Sequence, residues 1–210
     1  MADAAKAPRA VAFDWGGVFT RGTFDSSAVH DLAAYLGVSE DAVAEHYYPL
    51  METFEVGAFD MAGFHRRFAE RSKLALSRQG FVDTFLGAVR ERTQMYRLLA
   101  AIPPGYRVAM LSNNVPVLCD QIRGDPRMAR IEEFVFSNEL GVRKPDPAAF
   151  AQLAQALAVP PAATVFVDDN AANIGAAESL GFRGIHFESL DSFARRWRLY
   201  FPDIPVPAPR

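Results

Sequence analysis

Between residue 25 and about residue 100 the apolar positions recur at helical spacing, and from Tyr106 onward they fall into short runs that alternate with helical stretches. The first region contains four such stretches: "SSAVHDLAAYLG", "DAVAEHYYPLMETF", "DMAGFHRRFAERSKL" and "GFVDTFLGAVRER". Apolar residues three and four apart give each one a buried stripe. Ser26, Glu40 or Asp41, and Asp60 are the expected helix starts, and Gly37 is an expected stop. No strand is legible in this block.

The remainder reads differently. "AVAFD" (Ala10–Asp14) is a short apolar run ending in a carboxylate and two glycines, the pattern of a buried strand. After residue 105, "YRVAMLS", "IEEFVFS", "ATVFVD" and "RGIHF" read as strands. Each is followed by a helical stretch: "VPVLCDQIRG", "PAAFAQLAQALAV" with Pro147 in its first turn, "AANIGAAESLG" closed by Gly181, and "SLDSFARRWRLYF". Strands alternating with helices imply parallel βαβ units with right-handed crossovers. The expected fold is therefore a parallel α/β sheet flanked by helices, with its first strand separated from the rest by a small inserted helical domain. Residues 1–22 and 101–210 are assigned to the α/β part and residues 23–100 to the insertion. Residues 1–8 read as a disordered lead-in and the proline-rich tail "PDIPVPAPR" as extended.

Composition narrows the classes of function. The 210 residues are 50% hydrophobic and 22% charged, a globular balance. A net charge of −3 with no basic run gives no electrostatic case for nucleic acid or an anionic membrane. No stretch approaches the ~18 consecutive apolar residues of a membrane span, and "MADAAKAPRA" lacks the apolar centre of a secretory signal. The single cysteine, Cys119, excludes a disulfide within the chain and reads as a buried packing residue. A cytoplasmic protein, monomer or homodimer, is expected. The four histidines are too scattered for a zinc site.

The chemistry-bearing residues cluster where strands end. Ligands of parallel α/β sheets bind outside the carboxyl ends of the strands. The first strand ends at Asp14, the second at Ser112 followed by Asn113, and a later one at Asp168 and Asp169; Lys144 lies in the loop "GVRKPDP" after the third. If these strands are neighbours, three carboxylates, one amine, a hydroxyl and amides converge on one crevice. Clustered carboxylates repel one another unless a cation joins them, and hard oxygen ligands suit Mg2+. A carboxylate beside such an ion can attack a phosphoryl group, with lysine and metal neutralising the transferring oxygens. Gly16 and Gly17 would let the backbone approach the phosphate closely.

"FDWGGVFT", "MLSNN", "ELGVRKPDPAAF" and "VFVDDNAANIGAAESLG" resemble, in order and spacing, the four motifs of the haloacid dehalogenase superfamily. The resemblance runs from Val11 to about Phe187. It is closest to the branch holding sugar-phosphate phosphatases and the amino-terminal phosphatase domain of soluble epoxide hydrolases. It implies a Rossmann-like core with a helical cap and an Mg2+-dependent phosphatase acting on a small phosphorylated metabolite, a sugar phosphate among the candidates. Asp14 matches the nucleophile, Gly16 the residue whose backbone carbonyl ligates the metal, and Ser112 and Asn113 the phosphate-binding motif. Lys144 matches the lysine steadying nucleophile and phosphate, and Gly17, in the loop after Asp14, is assigned to the phosphate as well. Asp169 matches the direct metal ligand, Asp168 supports it directly or through water, and Asn173 braces the loop or serves structure alone. One departure stands out. Many phosphatases of the superfamily carry a second aspartate, the general acid and base, where this chain has Gly16. Two other readings fit the same residues: a 2-haloacid dehalogenase using the same aspartate without metal, and a non-catalytic member that binds a phosphorylated ligand.

Overall fold

The computed structural model describes residues 7–208, so most of the expected lead-in and the last two residues of the tail lie outside the described residues. Five parallel strands form one sheet: β1 (Ala10–Phe13), β2 (Arg107–Ser112), β3 (Glu133–Phe136), β4 (Thr164–Asp168) and β5 (Arg183–His186), in the order β3-β2-β1-β4-β5. Side chains alternate between its two faces. Ala10 and Ala12 of β1, Ala109 and Leu111 of β2 and Phe166 of β4 join one apolar cluster with Phe150, Leu153 and Ile174. Val11 and Phe13, Val108 and Met110, and Val165 and Val167 join another with Phe193 and Trp197. Both faces are covered, which is why these strands read as unbroken apolar runs.

Helices supply the cover. On one side lie α8 (Pro147–Leu157) and α9 (Ala171–Ser179). The other cluster takes in α5 (Thr93–Ala101), α6 (Pro116–Gly124) and α10 (Leu190–Tyr200). Pro147 stands at the first position of α8 behind the N-cap Asp146, as its place in the sequence indicates. The third strand is shorter than its apolar run suggests, because Ser137 opens a one-turn helix, α7 (Ser137–Leu140). The tail folds back instead of extending: Ile204 is buried, and its carbonyl accepts a hydrogen bond from Trp197 Nε1 at 2.8 Å.

The inserted block contains α1 (Phe24–Leu36), α2 (Glu40–Phe54), α3 (Met61–Ser72) and α4 (Arg78–Gly87). Asp60 caps α3 and Gly37 closes α1 in the left-handed conformation, as read from the sequence. Two starts differ. Thr23, not Ser26, caps α1, because starting one residue after Thr23 buries Phe24 against Phe85 at 4.8 Å between ring centroids. Ser39, not Glu40 or Asp41, caps α2; those acids fill its first turn, where they favour the helix dipole. A hydroxyl cap contributes about 1 kcal/mol, so one extra buried aromatic ring easily moves the boundary. Phe54, Phe64, Phe68, Phe81 and Phe85 fill the space between these helices. The chain enters and leaves the block side by side: Arg21 N–H donates to Arg90 O at 2.6 Å, and Arg92 N–H to Phe19 O at 2.7 Å. The structural crossing thus lies near residues 20 and 91, and α5 packs with the sheet cluster after the return.

Candidate active site

The chain moves outward from β1 to β2 and β3, then crosses to the other side of β1 for β4 and β5. That reversal opens a crevice at the carboxyl ends of β1 and β4. Asp14 follows β1 directly, and its N–H donates to Val167 O at 2.8 Å, locking the two strand ends together. Asp168 ends β4 and Asp169 follows it. One carboxylate oxygen from each of Asp14, Asp168 and Asp169 lies within 4.8 Å of the others.

Lys144 sits among them, 2% exposed. Its ammonium is 2.9 Å from Asp14 Oδ1 and 2.6 Å from Asp168 Oδ2. Burial opposes the charge on this amine, but Asp14 and Asp168 outweigh it and hold the pKa above its usual value. The loop that carries Lys144 is pinned by Asn113. The Asn113 amide donates to Lys144 O at 3.0 Å, and its carbonyl accepts from Lys144 N–H at 2.8 Å. Lys144 is joined to Pro145 by a cis peptide bond.

Asp168 is fully buried and its lone pairs are occupied. Oδ2 accepts from Lys144, Oδ1 from Asn170 N–H at 2.8 Å, and both oxygens from Asn173 Nδ2 at 3.1 Å. Asn173 therefore braces this acid, which the sequence alone left undecided. Asp169 is more open, and its backbone carbonyl is 2.9 Å from His186 Nε2.

The three acids share one ammonium. Asp14 is raised to about 7, first by burial and then by the charges of Asp168 and Asp169, against the pull of Lys144. Asp169 is raised by burial and by Asp168. A cluster of buried hard oxygens with more negative than positive charge is a donor set that fits a divalent cation such as Mg2+.

A cavity of about 160 Å3 opens onto this cluster. Asp14, Gly16, Asn113, Lys144, Asp169 and Asn173 are in its wall. Three expected site residues are not: Asp168 lies fully buried behind the wall, and Ser112 and Gly17 are also outside it. Ser112 is buried at the end of β2, and its neighbours Asn113 and Asn114 reach the wall instead. Gly17 lies beside the cavity with its N–H donating to Thr20 Oγ1 at 2.8 Å. Its glycine identity has a different cause from the close phosphate approach expected of it. With φ +66°, a Cβ here would fall 1.8 Å from Asp169 Oδ2. At Gly16 a Cβ would meet nothing within 4 Å. Arg92 ties the loop down, donating to Val18 O, Gly17 O and Thr20 O at 3.0–3.2 Å.

The helical block supplies more of the wall, with the N-cap Thr23, Phe24 and Asp25 of α1, Met51 of α2 and Glu55 just after it. Arg143 joins them from the Lys144 loop, 2.9 Å from Glu55 Oε2 and 3.2 Å from Glu52 Oε1. Asp25 accepts a 3.0 Å hydrogen bond from Tyr47. None of Asp25, Glu55 and Arg143 is marked as functional by sequence pattern, since each sits in a helical charge pattern or a loop that solvent would also explain. Trp15 both borders the cavity and packs on Phe24. Cys119 is buried, and burial pushes its thiol well up, as befits a packing residue.

Three carboxylates and one buried ammonium thus meet at the switch point of the sheet, an arrangement suited to a hydrolase. A haloacid dehalogenase-like hydrolase family model matches residues 8–181, and the chain belongs to that family. It is 24% identical over 167 residues to flavin mononucleotide hydrolase 1 of Arabidopsis thaliana, a match spanning 79% of this chain and 68% of that protein. The fold is similar to a HAD-family enzyme of Bacteroides thetaiotaomicron, with TM-score 0.74, 20% identity, and 86% and 94% of the two chains covered. That enzyme has also been solved in complex with magnesium and inorganic phosphate. A dehalogenase is similar too, with TM-score 0.66, 23% identity, and 87% and 86% covered. Among the described residues, no helix is long and apolar enough to cross a membrane.

Proposed function

We propose that this hydrolase is a magnesium-dependent phosphatase of small phosphorylated metabolites, working through Asp14 as covalent nucleophile. The observation that carries the reading is the cluster of Asp14, Asp168 and Asp169 around a single buried Lys144. A dehalogenation site needs one attacking carboxylate; three converging acids are wasteful unless a cation is held there. The activity of the Arabidopsis relative on flavin mononucleotide, which its name states, points the same way.

In this reading Asp14, the carbonyl of Gly16 and Asp169 hold Mg2+, with Asp168 behind them supporting the site. Bound Mg2+ neutralises charge on the phosphoryl oxygens and lets the acids coexist as carboxylates. Lys144 orients the free oxygen of Asp14 and faces the negative phosphoryl group. Asn113, in the cavity wall at the end of β2 with Ser112 buried behind it, forms the second phosphate-binding segment, and Gly17 leaves room for Asp169. The helices α1 to α4 act as a cap over the leaving group, excluding water from the intermediate.

Turnover of a panel of phosphorylated metabolites with and without Mg2+ tests the proposal. Activity that survives full chelation would favour the dehalogenase reading. Asp14→Asn is expected to abolish turnover with the fold intact; more than a few per cent of residual activity would contradict covalent catalysis. Phosphate binding without a phosphorylated enzyme would fit the non-catalytic reading.

A further inference from the structure

Expelling an alkoxide from phosphorus is slow unless the leaving oxygen takes up a proton as the bond breaks. The position beside the nucleophile that could carry a donor is Gly16, with open space above it. The cavity wall must supply the proton from elsewhere.

Its candidates can be taken in turn. Asp14 attacks, and Asp169 belongs to the cation cluster. Lys144 is held by two carboxylates that make it a poorer acid. Arg143 does not give up a proton. The amides of Asn113, Asn114, Asn170 and Asn173 are no acids either. Asp25 also lines the cavity, but Tyr47 donates to one of its oxygens, whereas Glu55 Oε2 has no hydrogen-bond partner. Glu55 is left.

Glu55 has the features of a donor. It is 7% exposed and lines the same cavity as Asp14. Its backbone is fixed at both ends: its N–H donates to Met51 O at 2.7 Å, and its carbonyl accepts from Ser137 Oγ at 2.5 Å. Its Oε2 is buried without a hydrogen-bond partner, although Arg143 Nη2 lies 2.9 Å away as an ion pair lacking hydrogen-bond alignment. Burial first, then the charges of Asp25 and Asp14, raise its pKa to about 7, with Arg143 and Lys144 pulling the other way. The carboxyl thus holds a proton near neutrality and can take it back.

We propose that Glu55 donates the proton to the leaving oxygen of an alkyl phosphate monoester, an inference that rests on the phosphatase reading above. In the first half-reaction an Asp14 oxygen bonds to phosphorus and the P–O bond to the alcohol breaks. The electron pair stays on the alcohol oxygen, which takes the Glu55 proton and leaves as the neutral alcohol. In the second, water bonds to phosphorus and loses a proton to Glu55, and the electron pair of the breaking Asp14 bond returns to the carboxylate. Phosphate leaves and Glu55 is again an acid.

The test is kcat/KM for substituted phenyl phosphates, from p-nitro to p-methoxy, in magnesium chloride, for the wild type and Glu55→Gln. With Glu55 in place the series should be nearly flat. Glu55→Gln should stay within about threefold of wild type on p-nitrophenyl phosphate, whose anion leaves unaided, and fall about 30-fold or more on the p-methoxy ester. A parallel loss across the series, or none, would overturn the proposal. The wild type decides alone if the variant folds poorly, because a steep wild-type series means that no acid acts. Failure of the phosphatase reading looks different: no aryl phosphate is turned over, with or without magnesium.

Discussion

Lys144 Nζ lies 2.9 Å from Asp14 Oδ1 and 2.6 Å from Asp168 Oδ2, so one buried ammonium serves the two strand ends at the centre of the sheet. Replacing it with an apolar residue of similar length leaves both acids uncompensated, and breaking such buried pairs typically costs about 3–5 kcal/mol. The acids can escape part of this by taking up protons. Lys144→Met is therefore expected to lower the melting temperature more at pH 8 than at pH 5 and to reduce kcat by at least about 100-fold. Equal destabilisation at the two pH values would mean that the lysine stabilises through packing, not charge.

Adjacent glycines should respond in opposite ways. A Cβ at Gly17 would strike Asp169 Oδ2, and the backbone there has φ +66°; a Cβ at Gly16 meets open space. Gly17→Ala is expected to displace Asp169 and to weaken Mg2+ binding by about tenfold or more, the usual scale for disturbing a ligand's support. Gly16→Ala should leave the fold and Mg2+ affinity within about twofold of wild type. Calorimetric Mg2+ titrations of the two variants make the comparison.

These contrasts show which parts of the site were legible in the sequence. Asp14, Lys144, Asp168 and Asp169 were, because strands ending in acids and a basic loop announce themselves by position. The parallel α/β sheet was legible because both of its faces are buried and its strands are continuously apolar. Thr23 and Ser39 were less so, since flanking polar residues compete as caps and buried rings such as Phe24 decide between them. Glu55, Asp25 and Arg143 were hidden, because their burial arises only when the helical block closes over the sheet. The short α7 was hidden for a related reason: Ser137 ends an apolar run as a strand would, but its hydroxyl is held by Glu55 O and accepts from Asn114 N–H.

The metal-free protein should lose stability as pH rises through neutrality. Asp14 and Glu55 are raised to about 7, and Asp25 is raised as well, chiefly by burial. A carboxyl with its folded-state pKa above its unfolded value binds protons better when folded. Its contribution is complete below the unfolded pKa, near 4, and is lost as pH climbs through the folded value. Glu91 and Asp125, half-buried and lowered by Arg127, act in the opposite sense, but only at more acidic pH. Thermal unfolding in chelator should give a melting temperature that falls from pH 5 to pH 8, with a shallower slope in Glu55→Gln. A melting temperature that rises over this range would show that these carboxyls are ionised at little cost.

Mg2+ should reverse that trend. A cation at Asp14 and Asp169 competes with the protons that burial favours there, so its affinity rises with pH. Ligand binding to the folded state alone stabilises by about 2.7 kcal/mol at a hundredfold excess over Kd. The Mg2+-induced rise in melting temperature is therefore expected to be larger at pH 8 than at pH 5.5. Asp169→Asn keeps the side-chain volume but removes a charge, and should abolish most of the shift at both pH values. A shift independent of pH, or one that survives Asp169→Asn, would place the cation away from these carboxylates and remove the basis for their clustering.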